Sequence, residues 1–205
     1  MNNLPILLTL LFIGLAGCDS KPMDSNAKEV GSGEDKLSGP VQADFAAKIG
    51  DRFPTFNAVS MEGSDVVVGP ESYGEKATLI VFWSTWCGFC MSDLPHEIEL
   101  ANRFESKGLR VIGINADDNL DVAKVAIFEK AIPWRNFYEG KEHSISTQLK
   151  IASWPALFLL DKSGKIVETT DMLRRTSFRK MPDGTVQPFL RLDTSIDTIL
   201  GQDNQ

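Results

Sequence analysis

The chain is poor in the side chains that most often hold metal ions, and it is poor in positive charge. Its 205 residues include two histidines and three cysteines, and 28 acidic residues against 21 basic ones give a formal net charge of −7. This negative balance argues against nucleic acid as the main partner. His96 and His143 stand far apart, and no second close ligand pair accompanies Cys87 and Cys90. Since structural zinc usually takes four paired ligands, we expect no metal site, and we expect no organic cofactor.

The chain also lacks an apolar run long enough for an ordinary membrane span. Residues 1–17 carry no charged side chain, and the apolar run over 4–16 suits a signal-peptide core but is short for a span of ~20 residues. The run ends in Leu15-Ala16-Gly17-Cys18, which resembles the bacterial lipobox, where the peptide is cleaved before a cysteine that is then acylated. We therefore expect a lipoprotein signal peptide over 1–17 and lipidation of Cys18, with an uncleaved short anchor as the alternative.

Both alternatives place the rest of the chain in the bacterial cell envelope, on the periplasmic or outer side of a membrane. Asp19 resembles the signal that retains lipoproteins in the inner membrane of enteric-type bacteria. The segment that follows, to about residue 40, is rich in Ser, Gly, Asp, Lys and Glu, so it cannot bury enough apolar area to order itself. We predict a lipidated cysteine and flexible tether over 18–42 and one domain over 43–205, long enough to bury a full core.

One stretch of that domain, Trp83–Cys90, carries a pair of cysteines two residues apart. It follows the apolar run Thr78–Phe82 and precedes a predicted helix over Met91–Phe104. A Cys-x-x-Cys between a buried strand and a helix is typical of thioredoxin-like redox proteins. The unpaired N–H groups and dipole of the helix start stabilise the first thiolate, so we predict that Cys87 is the nucleophile and Cys90 the more buried resolving thiol. The alternative is a structural disulfide, although so short a loop gains little chain entropy.

Hydrophobic periodicity and turn residues predict the remaining elements. Phe56–Ser60 and Asp65–Val68 should form a β-hairpin around the turn Glu62–Ser64. Pro95 should kink the helix after the cysteines. Further strands are expected over 109–114, 134–138, 156–160 and 165–170, helices over 119–131, 143–151 and 190–200, and a polar loop over 172–188.

These motifs, in this order, resemble the lipid-anchored, membrane-facing thioredoxin-like proteins of the TlpA/ResA type. The resemblance covers roughly residues 50–170 and implies a thioredoxin fold, an α/β architecture with a central mixed β-sheet flanked by helices. It also implies an N-terminal β-hairpin and a central family insertion. The matching segments are Gly50–Phe56, Val81–Cys90, Asp93-Leu94-Pro95 in place of the family's Glu-x-Pro, the insertion at Asn119–Leu149, and Trp154–Asp161.

The resemblance assigns roles to two further residues. Pro155 should be cis and packed against the sulfur atoms, so that the backbone of residue 154 can pair with a substrate strand; an ordinary trans proline is the alternative. Asp93 stands where the family has a buried glutamate that tunes the cysteines and moves protons, and a solvated acid in the first helical turn is its alternative. Because Val81 occupies a position where many thioredoxins carry aspartate, Asp93 should be the only acid near the cysteines.

Trp86, Gly88, Phe89 and Trp154 are candidate substrate-binding residues around the dithiol. Packing is the alternative for the aromatic side chains, and for Trp83 it is the expected role. Trp154 replaces the small or β-branched residue common in the family, so it either narrows the substrate cleft or serves in packing. The basic cluster over Arg174–Lys180 has two possible roles. It contacts anionic lipid or an acidic partner, or it is simply a solvated loop.

The resemblance implies an enzyme, a membrane-tethered thiol–disulfide oxidoreductase. It favours the reducing direction on disulfide-bearing envelope proteins, for example on the haem-binding cysteines of apocytochrome c, with electrons supplied by a transmembrane thiol reductase. One alternative is an oxidant or isomerase of secreted proteins. Another is a non-catalytic thioredoxin-like module that binds a partner or transfers copper.

Overall fold

The computed structural model describes residues 47–140, 144–173, 176–180 and 183–201. The predicted signal peptide, Cys18 and the tether lie outside the described residues. So do residues 43–46, at the start of the predicted domain. The same holds for His143 and, within the basic cluster, Arg174 and Arg175.

The central element is a seven-stranded mixed sheet, as the sequence predicts. Its strand order is β2-β1-β5-β4-β3-β6-β7. The central strands β3, β4 and β5 are parallel, whereas β6 runs antiparallel to β3, and β2, β1 and β7 are antiparallel to their neighbours. The strands are β1 (Phe56–Ser60), β2 (Asp65–Val68), β3 (Ala77–Trp83), β4 (Leu109–Asn115), β5 (Arg135–Tyr138), β6 (Ala156–Asp161) and β7 (Ile166–Thr169).

Five helices are described: α1 (Gly88–Phe104), α2 (Leu120–Glu129), α3 (Ser144–Gln148), α4 (Thr170–Leu173) and α5 (Arg191–Gly201). Four of them fall where the sequence predicts helices, and Pro95 lies inside α1. Helix α1 begins three residues earlier than predicted because Cys87 is its N-cap. The predicted insertion contains α2, β5 and α3. Within the described ranges, no helix combines the length and apolar character needed to cross a membrane.

Strand β3 is buried along its whole length, because the sheet is covered on both faces. Its side chains alternate between two core clusters, as the two-residue period of a strand requires. Leu79, Val81 and Trp83 belong to the cluster that contains α1 and α5. Ile80 and Phe82 belong to the cluster that contains α3 and the segment leading into β1. The cysteine pair is thus mounted on the most buried strand of the sheet.

Helix α5 is fixed to α1 by a polar contact as well as by the first core cluster. Asp193, in the first turn of α5, lies 3.0 Å from Nε2 of His96. The other oxygen of Asp193 accepts a hydrogen bond from Arg103. His96 therefore has a structural partner on the neighbouring helix.

The predicted loop over 172–188 is wrong. Residues 176–180 and 186–190 are strands, β8 (Thr176–Lys180) and β9 (Val186–Leu190), which pair as an antiparallel hairpin. The Asp183-Gly184 pair carries the turn: Gly184 has a φ of 87°, and the Asp183 carboxylate accepts hydrogen bonds from the N–H and hydroxyl of Thr185. Asp-Gly between short strands is a strong hairpin signal, but the polar residues of β8 and the proline in β9 conceal it.

Candidate active site

The two cysteines lie at the junction between β3 and α1, joined in a disulfide. Cys87 is the N-cap of α1, and its sulfur accepts a hydrogen bond of 3.0 Å from the backbone N–H of Cys90. When the pair is reduced, this N–H and the helix dipole act on the sulfur that would become the thiolate. Cys87 is 6% exposed and Cys90 2% exposed, which confirms the predicted order of burial.

Pro155 lies at the same edge of the sheet as the cysteine loop. Because Ala156 pairs with Phe82 in the antiparallel register of β6 and β3, Pro155 comes just before that pair and Ser84 shortly after it. The Trp154–Pro155 peptide bond is cis, as predicted. The proposed pairing of its backbone with a substrate strand stays a prediction.

Two aromatic side chains, Trp86 next to Cys87 and Trp154 next to the cis-proline, line an open cleft. The rings of Trp86 and Trp154 meet edge to face with centroids 5.5 Å apart. Trp86 is 57% exposed and Phe89 68% exposed. Neither side chain is therefore packed in the core, and both are accessible to a substrate. Trp154 is half-buried and also meets the ring of Phe82, so it both packs and faces the cleft. The cleft has a volume of about 560 Å³ and is lined by Trp86, Ser146, Thr147, Lys150, Ile151, Ala152 and Trp154.

Gly88, the remaining candidate on the substrate side, is exposed at the first position of α1. No heavy atom lies within 4 Å of the position that a Cβ atom would take there. The side-chain surface at the mouth of the site is therefore supplied by Trp86 and Phe89, on either side of Cys87 and Gly88.

A buried carboxylate holds the loop that leads to Cys87. Oδ1 of Asp117 accepts hydrogen bonds from the backbone N–H of Thr85 at 2.9 Å and from its hydroxyl at 2.7 Å. Oδ2 accepts from Nδ2 of Asn115 at 2.8 Å, and the N–H of Asp117 donates to Oδ1 of Asn115 at 3.0 Å. Asp117 is not among the site residues predicted from the sequence. Its signal there is the acidic pair Asp117-Asp118, which follows the end of β4 after one intervening residue.

Beneath the loop, Trp83 is buried in the core, as expected. Its indole N–H donates to Oδ1 of Asn136 at 3.0 Å, and Nδ2 of Asn136 donates to the carbonyl of Trp134, also at 3.0 Å. These hydrogen bonds link the end of β3 to the beginning of β5 across β4.

The prediction that Asp93 is the only acid near the cysteines overlooks Glu97 on α1 and Asp117, which binds Thr85 in the cysteine loop. Asp93 is half-buried in the first turns of α1. Glu97, on the buried face of the same helix with Cys90 and Leu94, is only 3% exposed, and Asp117 is 2% exposed. Leu94 is four residues after Cys90, and Glu97 is three residues after Leu94. This spacing puts all three side chains on the same face of the helix, which is the buried one.

The same edge of the sheet contains Tyr138, which pairs with Asn115 on β4. Burial raises the pKa of Tyr138, and the negative charges of Asp118 and Asp117 raise it further. Its phenol thus stays neutral and is not a base for thiol chemistry. Among the described residues, no group of three or more His, Cys, Asp and Glu side chains is placed to hold a metal ion.

A cysteine pair that caps the first helix after the central strand, beside a cis-proline in a mixed sheet of thioredoxin-like topology, defines a thiol–disulfide oxidoreductase. Such a pair passes two electrons by disulfide exchange and needs no other group to do so. The chain belongs to the Redoxin family, whose model matches residues 48–176, and within it the chain is of the TlpA/ResA type.

Comparison with known proteins places the chain among oxidoreductases of this kind. It is 29% identical over 141 residues to the thiol-disulfide oxidoreductase ResA of Bacillus thuringiensis, covering 64% of this chain and 80% of the relative. It resembles the thioredoxin domain of a thiol-disulfide oxidoreductase from Bacteroides vulgatus, with 25% identity, a TM-score of 0.54, and coverage of 60% of this chain and 87% of that one. A thiol:disulfide interchange protein from Bacteroides sp. shares the fold, with a TM-score of 0.59, 21% identity and coverage of 76% and 92%.

Proposed function

We propose that this oxidoreductase is tethered to the outer side of a bacterial membrane and reduces disulfides of envelope proteins, such as those between the haem-binding cysteines of apocytochrome c. The observation that carries the reducing direction is the buried Asp117 carboxylate, which binds Thr85 two residues before Cys87. A nearby negative charge opposes a thiolate and so favours the disulfide form. A dithiol whose reduced form is less stable gives up its electrons more readily.

The proposed location on the outer side of a membrane requires a tether and a source of electrons. The lipobox-like Leu15–Cys18 would supply a lipid anchor, and the polar residues after it would let the folded part reach its substrates. The envelope has no bulk thiol buffer comparable to that of the cytosol, so a transmembrane thiol reductase would return the Cys87–Cys90 pair to the dithiol after each turnover.

The exchange proceeds in two steps. The Cys87 thiolate attacks one sulfur of the substrate disulfide, forming a mixed disulfide and releasing the other substrate sulfur as a thiolate. The Cys90 sulfur, after losing its proton, then attacks Cys87, closes the disulfide described above and releases the second substrate thiolate. Two electrons pass to the substrate, and its two sulfurs leave as thiols once they take up protons. Trp86 and Trp154 would hold an apolar side chain of the substrate next to Cys87.

A measured reduction potential tests the direction. Equilibration of the Cys87–Cys90 pair with glutathione should give a potential at or below about −250 mV, near that of thioredoxin at about −270 mV. A value close to that of a dedicated disulfide oxidant, about −120 mV, would overturn the reducing role and favour an oxidant of secreted proteins. Tight Cu(I) binding without turnover in an insulin-reduction assay would instead favour the copper-transfer module.

A further inference from the structure

We propose that the buried carboxylate of Asp117, held against the cysteine loop by Thr85, sets the reactivity of Cys87 through its negative charge. The proposal rests on disulfide exchange through Cys87 as described above, and it adds a residue to that reaction. Its basis is the set of contacts that join the end of β4 to the loop between β3 and α1.

The parallel register of β3 and β4 brings Asp117 to this loop. Trp83 pairs with Asn115, and the N–H of Ala116 donates to the carbonyl of Trp83 at 3.0 Å. The chain after β4 therefore continues alongside the end of β3 for two more residues. This places the Asp117 carboxylate against Thr85, although 32 residues separate the two in sequence.

The carboxylate is held from both sides. One oxygen takes both polar hydrogens of Thr85, and the other takes the Asn115 amide. Three donors on two oxygens is the pattern of an ionised carboxylate, which only accepts hydrogen bonds. An asparagine could accept the two bonds from Thr85, but its own NH₂ group would then face the NH₂ group of Asn115. These contacts therefore favour a negatively charged side chain at position 117, and not merely a hydrogen-bond acceptor.

The position of this charge has a chemical consequence. Thr85 lies two residues before Cys87, and the N–H of Cys87 donates to the carbonyl of Ser84 at 3.3 Å. The short loop is therefore held at Thr85 by Asp117 and at Cys87 by Ser84. The carboxylate is 2% exposed, which limits screening by water. Two residues of chain span at most ~7 Å, so the carboxylate bound to Thr85 lies on the order of 10 Å from the Cys87 sulfur. A negative charge at that distance in such surroundings opposes a second one on Cys87 by about one pKa unit. Asp117 thereby holds the Cys87 thiol protonated to higher pH and favours the disulfide form.

Two substitutions separate the charge from the hydrogen bonds. Asp117→Asn removes the charge and keeps an acceptor for Thr85. Thr85→Val removes the hydroxyl bond at 2.7 Å but keeps the charge, the backbone bond and the shape of the side chain. The other ionisable groups on the adjoining elements, Asp93 and Glu97 on α1 and Lys150 in the cleft, are present in both variants.

The readout is the pKa of the Cys87 thiol in the reduced protein, taken from the pH dependence of its alkylation rate. Asp117→Asn should lower this pKa by about one unit and shift the equilibrium with glutathione severalfold toward the dithiol. Thr85→Val should leave the pKa within about 0.3 unit of the wild-type value. Equal shifts in the two variants, or no shift in Asp117→Asn, would overturn the proposal.

If the asparagine variant does not fold, Asp117→Ser, which also lacks the charge and retains a smaller acceptor, takes its place with the same expected fall in pKa. The alkylation measurement needs no substrate and assumes no direction of electron flow. A protein that proved to be an oxidant would still show the shift, so failure of this proposal and failure of the reducing role give different results.

Discussion

Replacing Cys87 with serine should abolish the reduction of a disulfide substrate, with a loss of about 10³-fold or more in turnover. The hydroxyl of serine is a far weaker nucleophile than a thiolate, and the helix start that favours the Cys87 thiolate cannot ionise an alcohol at neutral pH. Insulin reduction with a chemical thiol as electron donor measures the effect. Retention of more than a tenth of the wild-type rate would contradict the role of Cys87.

Cys90→Ser is the matched variant for this experiment, since it makes the same atomic change three residues away. When the reduced variant is mixed with substrate and no other thiol is added, it should still attack the substrate but fail to release it, so that it consumes at most one substrate disulfide per molecule. The two variants thus separate attack from resolution. Ser92→Ala, which changes an exposed side chain on the same helix, controls for disturbance of α1 and should retain wild-type turnover.

A large change in stability is expected from Gly113→Ala in β4. A Cβ atom there would lie 2.0 Å from Oδ1 of Asn136 and 2.9 Å from Nε1 of Trp134, so both side chains must move. Displacement of Asn136 breaks its hydrogen bond with the buried indole N–H of Trp83. Overpacking and a lost buried hydrogen bond together should lower the free energy of unfolding by about 2–4 kcal/mol.

Urea unfolding of the oxidised protein measures this loss. Gly201→Ala is the control, because no heavy atom lies within 4 Å of a Cβ atom at that position, and its unfolding free energy should stay within about 0.5 kcal/mol of wild type. A change as small as this in Gly113→Ala would mean that Asn136 yields without cost, and would contradict the tight contact between β4 and β5.

Local sequence patterns predict much of the fold. The bounds of β1 and β2 are those predicted, because a short turn with glycine separates two runs rich in apolar and β-branched residues. The continuous apolar run of β3 marks it as the central strand. Helix α1 begins earlier than its apolar stripe suggests, because the N-cap is supplied by Cys87, a residue whose sulfur is not among the usual capping groups.

The parts that the sequence does not predict depend on contacts between distant segments. Asp117 approaches Thr85 only because β4 pairs with β3 in a particular parallel register. Glu97 is an acid on an otherwise apolar helix face, where composition alone suggests exposure. Strand β8 is mostly polar and strand β9 contains Pro188, so neither shows the pattern on which strand prediction relies.

Trp154 departs from the family pattern, and the structure shows which contacts its ring makes. The sequence leaves it between a cleft residue and a packing residue. Its ring meets both the buried Phe82 and the exposed Trp86, so it fixes one wall of the cleft while its inner side belongs to the core. We propose that an aromatic pair at this place favours substrates that carry an apolar side chain close to the disulfide.

The most direct test of exchange through Cys87 is to trap its partners in the native host. Full-length Cys90→Ser should accumulate mixed disulfides with envelope proteins, and mass spectrometry should map the bond on this chain to Cys87. The adducts should be absent when Cys87→Ser is added to the same chain. If Cys90→Ser forms no adduct that depends on Cys87, the exchange mechanism is contradicted.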